Sequence, residues 1–190
     1  MSLRTPRMLR LLVGSLVAGV LLLPTAGAAA ASSPVARHGG GDRTVRHDVT
    51  FIAMLLPHHR TAVQMATVAR AKATNSQVRQ LAAHIATEQS RQIAQMREWL
   101  RQRNAEPMPP PAPVREMERQ DLQMLRDARG VEVDRMFLMM MRPHHAQGVS
   151  EAEDELHHGR NPFAVNLART NKSDQTREIA RMNDLLAALT

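Results

Sequence analysis

The stretch MLLPHHRTAVQMA, residues 54–66, returns in altered form as MMRPHHAQGVSEA, residues 140–152. Adding 86 to the residue number lays one on the other without a gap, and the match runs well beyond them. Asp48 falls on Asp134, Phe51 on Phe137, Met54 on Met140, Pro57 on Pro143, His58 and His59 on His144 and His145, Asn75 on Asn161, Gln89 on Gln175, Met96 on Met182 and Leu100 on Leu186. The chain carries one unit twice, so the nature of that unit decides the fold.

In the first copy Phe51, Leu55, His58, Ala62, Met65 and Ala69 recur at alternating steps of four and three, with Ile52, Leu56, His59, Val63 and Ala66 as a flanking row. That spacing marks one face of an amphipathic α-helix running from Asp48 to about Ala73. Asn75 or Ser76 then offers an N-cap for a second helix carrying Val78, Leu81, Ile85, Met96 and Leu100. In the second copy the turn reads GRNPF, with Gly159 as helix stop, Asn161 as N-cap and Pro162 at the first helical position. Each unit is a helical hairpin, residues 45–103 and 131–189. The Pro-rich segment 104–114 reads as a stiff connector, and residues 115–129 as a short helix stopped by Gly130. Two such hairpins bury their apolar stripes against each other, giving an all-α four-helix bundle over residues 45–190.

The first 31 residues stand apart. Arg4, Arg7 and Arg10 precede an apolar run from Leu11 to Leu23 and then PTAGAAAASS, the order of a cleaved export signal. Residues 32–44, rich in Gly and Ser, read as a disordered leader. The protein is therefore expected outside the cytoplasm, secreted or in the cell envelope, without stable membrane insertion once the signal is removed. Of 25 basic residues three lie in the signal, so 22 face 18 acidic ones. That modest surplus on an exported protein argues against nucleic-acid binding. The chain has no cysteine and 13 methionines. Disulfides and thiolate metal sites are excluded, and soft-metal chemistry must use Met or His.

Those donors fall at suggestive heights. In an antiparallel hairpin, residues equidistant from the turn face each other. A turn centred near residues 74 and 75 sets Met54 opposite Met96, the His58–His59 pair opposite Gln89 to Arg91, and Met65 opposite His84. In the second hairpin Met140 falls opposite Met182 and the His144–His145 pair opposite Gln175, whereas Glu151 stands where the first copy has Met65. Met54 and His58, Met140 and His144, and Met141 and His145 are also i,i+4 neighbours on one helix. The candidate metal ligands are thus Met54, His58, His59, Met65, His84, Met96, Met140, Met141, His144, His145 and Met182.

Packing offers a rival account, because Met commonly fills gaps in Ala-rich bundles and a single buried His is usually a hydrogen-bonded core residue. The recurrence of a His-His pair with Met four residues earlier favours the metal. His157 and His158 end a helix, where imidazolium complements the dipole. His38 and His47 sit in or beside the leader, and become auxiliary ligands only if it folds back. Glu155 and His158 form one Glu-x-x-His pair, without the second pair and further glutamates of a di-iron bundle. No Gly-rich phosphate loop, nucleophile elbow or catalytic cysteine occurs, so no enzyme class is indicated.

The elements DVTFIAMLLPHHRTAVQMA with QSRQIAQMREWL, and DRMFLMMMRPHH with QTREIARM, resemble the DUF305 family of exported bacterial proteins over about residues 45–188. The resemblance implies a ferritin-like helical bundle and, for some members, copper binding through Met and His in the periplasm. The expected ligand is copper, Cu(I) before Cu(II) or zinc, held for buffering, delivery or resistance, with other copper-handling proteins as partners. The competing readings are a metal-free structural or interaction bundle with core histidines and, more remotely, a ferritin-like redox enzyme.

Overall fold

The computed structural model describes residues 39–189, with side chains from residue 45 onward; the signal segment and residues 32–38 lie outside that range. The described residues form α1 (Gly39–Lys72), α2 (Ser76–Arg101), α3 (Ala112–Asp127), α4 (Val131–His158) and α5 (Pro162–Ala188), with no strand among them. α1 with α2 and α4 with α5 are the two repeated hairpins, which meet chiefly through α1 and α4, while α3 lies against those same two helices. None of the described helices is long and apolar enough to cross a membrane.

Local chemistry sets the ends. The Asn75 side chain accepts from the backbone N–H groups of Gln77 and Val78, and Asn161 does the same for Phe163 and Ala164. These contacts satisfy N–H groups that the first turn of a helix leaves without partners. α1 starts earlier than Asp48, inside the segment read as a leader. No proline interrupts residues 39–47, and extending an existing helix requires no new nucleus despite the glycine propensity cost. α3 begins at Ala112 rather than Arg115 because Pro113 fits its first turn. Gly130, at φ 59°, is the N-cap of α4 rather than the stop of α3, which ends at Asp127.

Pro57 lies inside α1 and lacks the N–H that would bond to the Ala53 carbonyl. The connector supplies the missing donor: the Met108 N–H donates to the Ala53 oxygen at 2.8 Å. The Pro-rich segment is thereby fastened across α1 at the level of its own proline.

The core is divided in two. One apolar cluster holds Phe51, Ile52, Leu55, Leu56, Met96, Trp99, Leu100, Ala152 and Leu167. The other holds Met65, Ala69, Leu81, Ile85, Leu125, Phe137, Leu138, Met141, Met182 and Leu185. Along each long helix, the residues between these clusters are polar and buried: His58 and His59, Gln89 and Gln92, His145, and Asn171, Gln175 and Glu178.

The hairpins also exchange caps. Asp134 of α4, fully buried, accepts from the Thr74 and Asn75 backbone N–H groups at 2.9 Å each and from the Thr74 hydroxyl at 2.5 Å. Asp48 of α1 accepts from the Arg160 and Asn161 N–H groups, each at 2.9 Å. Each hairpin's turn is completed by the other hairpin. Asp134→Ala should therefore lower stability by about 3 kcal/mol, the scale of a charged group's hydrogen bonds plus unpaired buried donors, read as a fall in the urea midpoint. A residue 45–103 fragment, lacking Asp134 and a partner for its apolar face, should show no cooperative thermal transition.

Candidate metal centre

At the middle of the bundle the two Pro-His-His steps meet. The rings of His58 and His144 stack with centroids 3.7 Å apart and planes 24° from parallel. His58 donates from Nε2 to the His144 backbone carbonyl at 3.0 Å. The outer member of each pair turns to its own hairpin: His59 Nε2 donates to Gln92 Oε1 at 2.6 Å, and His145 Nε2 donates to Glu178 Oε2 at 2.8 Å. Gln92 and Glu178 are 86 residues apart, so the two contacts are one contact repeated.

These partners accept only, which puts the proton on Nε2 and leaves Nδ1 with its lone pair. The Nδ1 atoms of His58, His59 and His145 are buried and without a hydrogen-bond partner, as are both ring nitrogens of His144 and the side-chain amide of Gln175. An imidazole that donates one N–H to a carbonyl or carboxylate and keeps the other nitrogen free is the arrangement metal-binding histidines adopt. Buried polar atoms in such number require partners. The donor set fits a cation that takes neutral imidazole.

The protonation states agree. Burial, with neighbouring His59 and His145, pushes His58 down to about 3 against the contact to His144. Burial pushes His59 down to about 4, partly opposed by its bond to Gln92. Burial also holds His144 well below its ordinary 6.5. At neutral pH these three rings are uncharged and need lose no proton to bind a metal.

Two crevices flank α1 and α4. One, of about 170 Å³, is lined by Thr61, Met65, Met117, Glu118, Met140 and His144 among others, with α3 contributing Met117 and Glu118. The other, of about 370 Å³, includes His47, Thr50, Met54, Glu151 and Asp154. The repeat relates them, Met140 answering to Met54 and Met65 to Glu151. Burial raises the carboxyls of Glu118 and Glu151 above their ordinary value.

The expected ligands are thus only partly gathered. Met65, Met140 and His144 share a crevice, while Met54, 42% exposed, lies in the other. Met96, Met141 and Met182 are fully buried in the apolar clusters, and none of them lines either crevice. His84 does not converge with Met65. Its side chain is 60% exposed and lies 3.7 Å from Glu178 Oε1. The level of the histidines is also shifted, since His59 meets Gln92 rather than Gln89 to Arg91. Side chains lean toward the N-terminus of their helix, so tips meet in an antiparallel pair only when both Cα positions lie later in sequence than the turn implies. Met117 escaped the sequence reading because α3 lies outside the repeat. Glu178 was legible as the counterpart of Gln92, at the same step from a histidine.

Between pH 6.5 and about 4 the unfolded chain binds protons at these histidines that the folded chain refuses, so metal-free stability should fall as pH drops. Each depressed histidine contributes up to about 1.4 kcal/mol per pH unit over that window and nothing above it. The urea midpoint of metal-free protein should fall more steeply between pH 6.5 and 4.5 than that of His58→Gln/His144→Gln, a substitution that leaves the opposing contribution of Glu155, its carboxyl pushed up to about 8 by burial, unchanged.

Residues 48–186 match the family described as Domain of unknown function (DUF305). The crystal structure of a putative secreted protein DUF305 from Streptomyces coelicolor is 28% identical, with TM-score 0.68, over 75% of this chain and 93% of that one. A DUF305 fragment from Deinococcus radiodurans is 27% identical, with TM-score 0.67, over 75% and 96%. CopM in its Cu(I)-bound form is 32% identical, with TM-score 0.62, over 72% and 93%, and CopM is also known in Cu(II)-bound and Ag-bound forms. No curated protein matches the chain. With the matched region spanning both hairpins and the histidine layer between them, the chain belongs to the DUF305 family.

Proposed function

We propose that the protein is an exported copper-binding protein that holds Cu(I) as cargo, for buffering, delivery or resistance, and catalyses no reaction of its own. The observation that carries this reading is the crevice beneath α3, where three thioethers, Met65, Met117 and Met140, line the same space as His144. Thioether with imidazole, and no thiolate anywhere in the chain, is a donor set for Cu(I) rather than for hard cations. His144 is stacked on His58, so an ion at the crevice adjoins a neutral imidazole pair. Copper binding by CopM, similar in sequence and fold, supports the reading. The N-terminal signal pattern supports delivery to a compartment where copper is handled outside the cytoplasm.

A metal-free role for the histidines draws on the His59–Gln92 and His145–Glu178 hydrogen bonds. Those bonds engage Nε2 only and leave the Nδ1 atoms unexplained.

A Cu(I) competition titration against a colorimetric chelator under reducing conditions separates the readings. Met65→Leu/Met140→Leu should fold, because the swap nearly conserves volume, and should weaken Cu(I) binding by more than about tenfold, a loss that even outer-shell partners of a metal produce. Met96→Leu/Met182→Leu, altered only in the apolar clusters, should follow the parent curve. Identical curves for the parent and the Met65/Met140 variant would assign these methionines to packing.

A further inference from the structure

The geometry points to a second metal site, for a borderline divalent cation of the Zn²⁺ class, formed by His47, Asp154, Glu155 and His158 where α1 meets the C-terminal turn of α4. It goes beyond the Cu(I) reading and shares no residue with it. Ligand atoms of His47, Asp154 and His158 all lie within 4.8 Å of one another. His47 Nε2 stands 3.5 Å from Asp154 Oδ2 and 3.2 Å from Glu155 Oε2, and His158 donates from Nδ1 to the Asp154 backbone carbonyl at 3.0 Å beside Asp154 Oδ1, which leaves its Nε2 with the lone pair for an ion. Two imidazoles and one carboxylate thus lie within reach of a single ion, and the Glu155 carboxylate adjoins them through His47; all are donor types that zinc accepts.

Glu155 is the independent observation. Its side chain is fully buried, and neither carboxylate oxygen has a hydrogen-bond donor, His47 approaching at ion-pair distance without hydrogen-bond alignment. Burial and the adjacent Asp48 carboxylate push it up to about 8. A carboxyl so placed, beside a second carboxylate, must either keep its proton or take a cation. A Cβ on Gly159 would stand 2.2 Å from Glu155 Oε1 and 2.7 Å from the Glu155 backbone oxygen, so the glycine leaves space for both.

The repeat supplies a control. At the corresponding end of the other hairpin pair, His47, Asp154, Glu155, His158 and Gly159 are replaced by Val133, Val68, Ala69, Lys72 and Ala73. The same helix junction is thus built there from small and apolar residues plus one lysine, so the fold does not require histidines and acids at this place. His47 and Asp154 also line the second crevice, which gives an ion a route from solvent. The donors are harder than those beneath α3, with no thioether among the four, which selects Zn²⁺ or Cu(II) over Cu(I).

The test titrates purified, untagged protein with Zn²⁺ alone against a chromophoric chelator, alongside His158→Ala, His47→Ala and Met65→Leu/Met140→Leu. His158 is exposed, with 64% of its side chain accessible, so its removal spares the fold. The parent should withdraw one Zn²⁺ equivalent that each histidine variant withdraws at least about tenfold less tightly, while both histidine variants keep the parent Cu(I) curve. The Met65/Met140 variant should keep that Zn²⁺ equivalent whether or not it loses Cu(I), so failure of the copper reading leaves this assignment standing. A parent that takes up no Zn²⁺, uptake that survives both histidine substitutions, or loss of the same equivalent in the Met65/Met140 variant would overturn it.

Discussion

Asp134 leaves α4 to cap the α1–α2 turn, and Asp48 leaves α1 to cap the α4–α5 turn. An aspartate buried in this way must be met by backbone N–H groups at a fixed place, since an unpaired buried carboxylate is far costlier than an unpaired amide. The reciprocal contacts therefore act as two pins that set the height of one hairpin against the other. His58 and His144 lie in the helices that carry those aspartates, ten residues beyond each. Their stacking across the α1–α4 contact is a consequence of the pins, because a shift by one helical residue would carry the rings about 1.5 Å past each other.

Pinning also explains how the bundle tolerates a polar layer in mid-core. Two apolar clusters, each with several fully buried large side chains, lie on either side of the histidines. They supply the packing, so the layer between them need only be internally satisfied. It is not fully so, for the pairings with Gln92, Glu178 and the His144 carbonyl use one nitrogen each of His59, His145 and His58 and leave the other, and both ring nitrogens of His144 stay unpaired. Gly148 deepens the same design. A Cβ there would come within 2.4 Å of Gln175 Oε1 and 3.1 Å of the His58 ring, so the absent side chain is what admits both groups to the layer.

The two hairpins, their caps at Asn75 and Asn161 and the stop at Gly159 were legible in the sequence because each is a local preference repeated at a fixed interval. The pairing of methionines across each hairpin was not. Met54 and Met140 sit on the face turned to the neighbouring hairpin, whereas Met96 and Met182 lie within the apolar clusters, and a helical period assigns a residue to the apolar side without saying which neighbour it meets. The contribution of α3 was equally hidden, because its place over one crevice is set by tertiary contacts such as those from Lys72 Nζ to the Arg126 and Ala128 carbonyls.

The departures from the repeat bear most directly on function. A doubled hairpin should produce two equivalent crevices, yet one holds Met65, Met117 and Met140 under α3 and the other His47, Glu151 and Asp154 at the start of α1. Exchanging Met for Glu at one repeat position changes a soft donor into a hard one without altering the backbone, and α3 covers only the soft side. The thioethers and the neutral imidazole of that crevice favour a soft cation, while Glu118 and Asp121 also line it. A site built on carboxylates must balance several negative groups and favours a doubly charged ion that retains contact with solvent. The common scaffold thus places two repeat-related crevices of different size, and a few side chains, chosen differently in each copy, set how soft or hard are the donors that each presents.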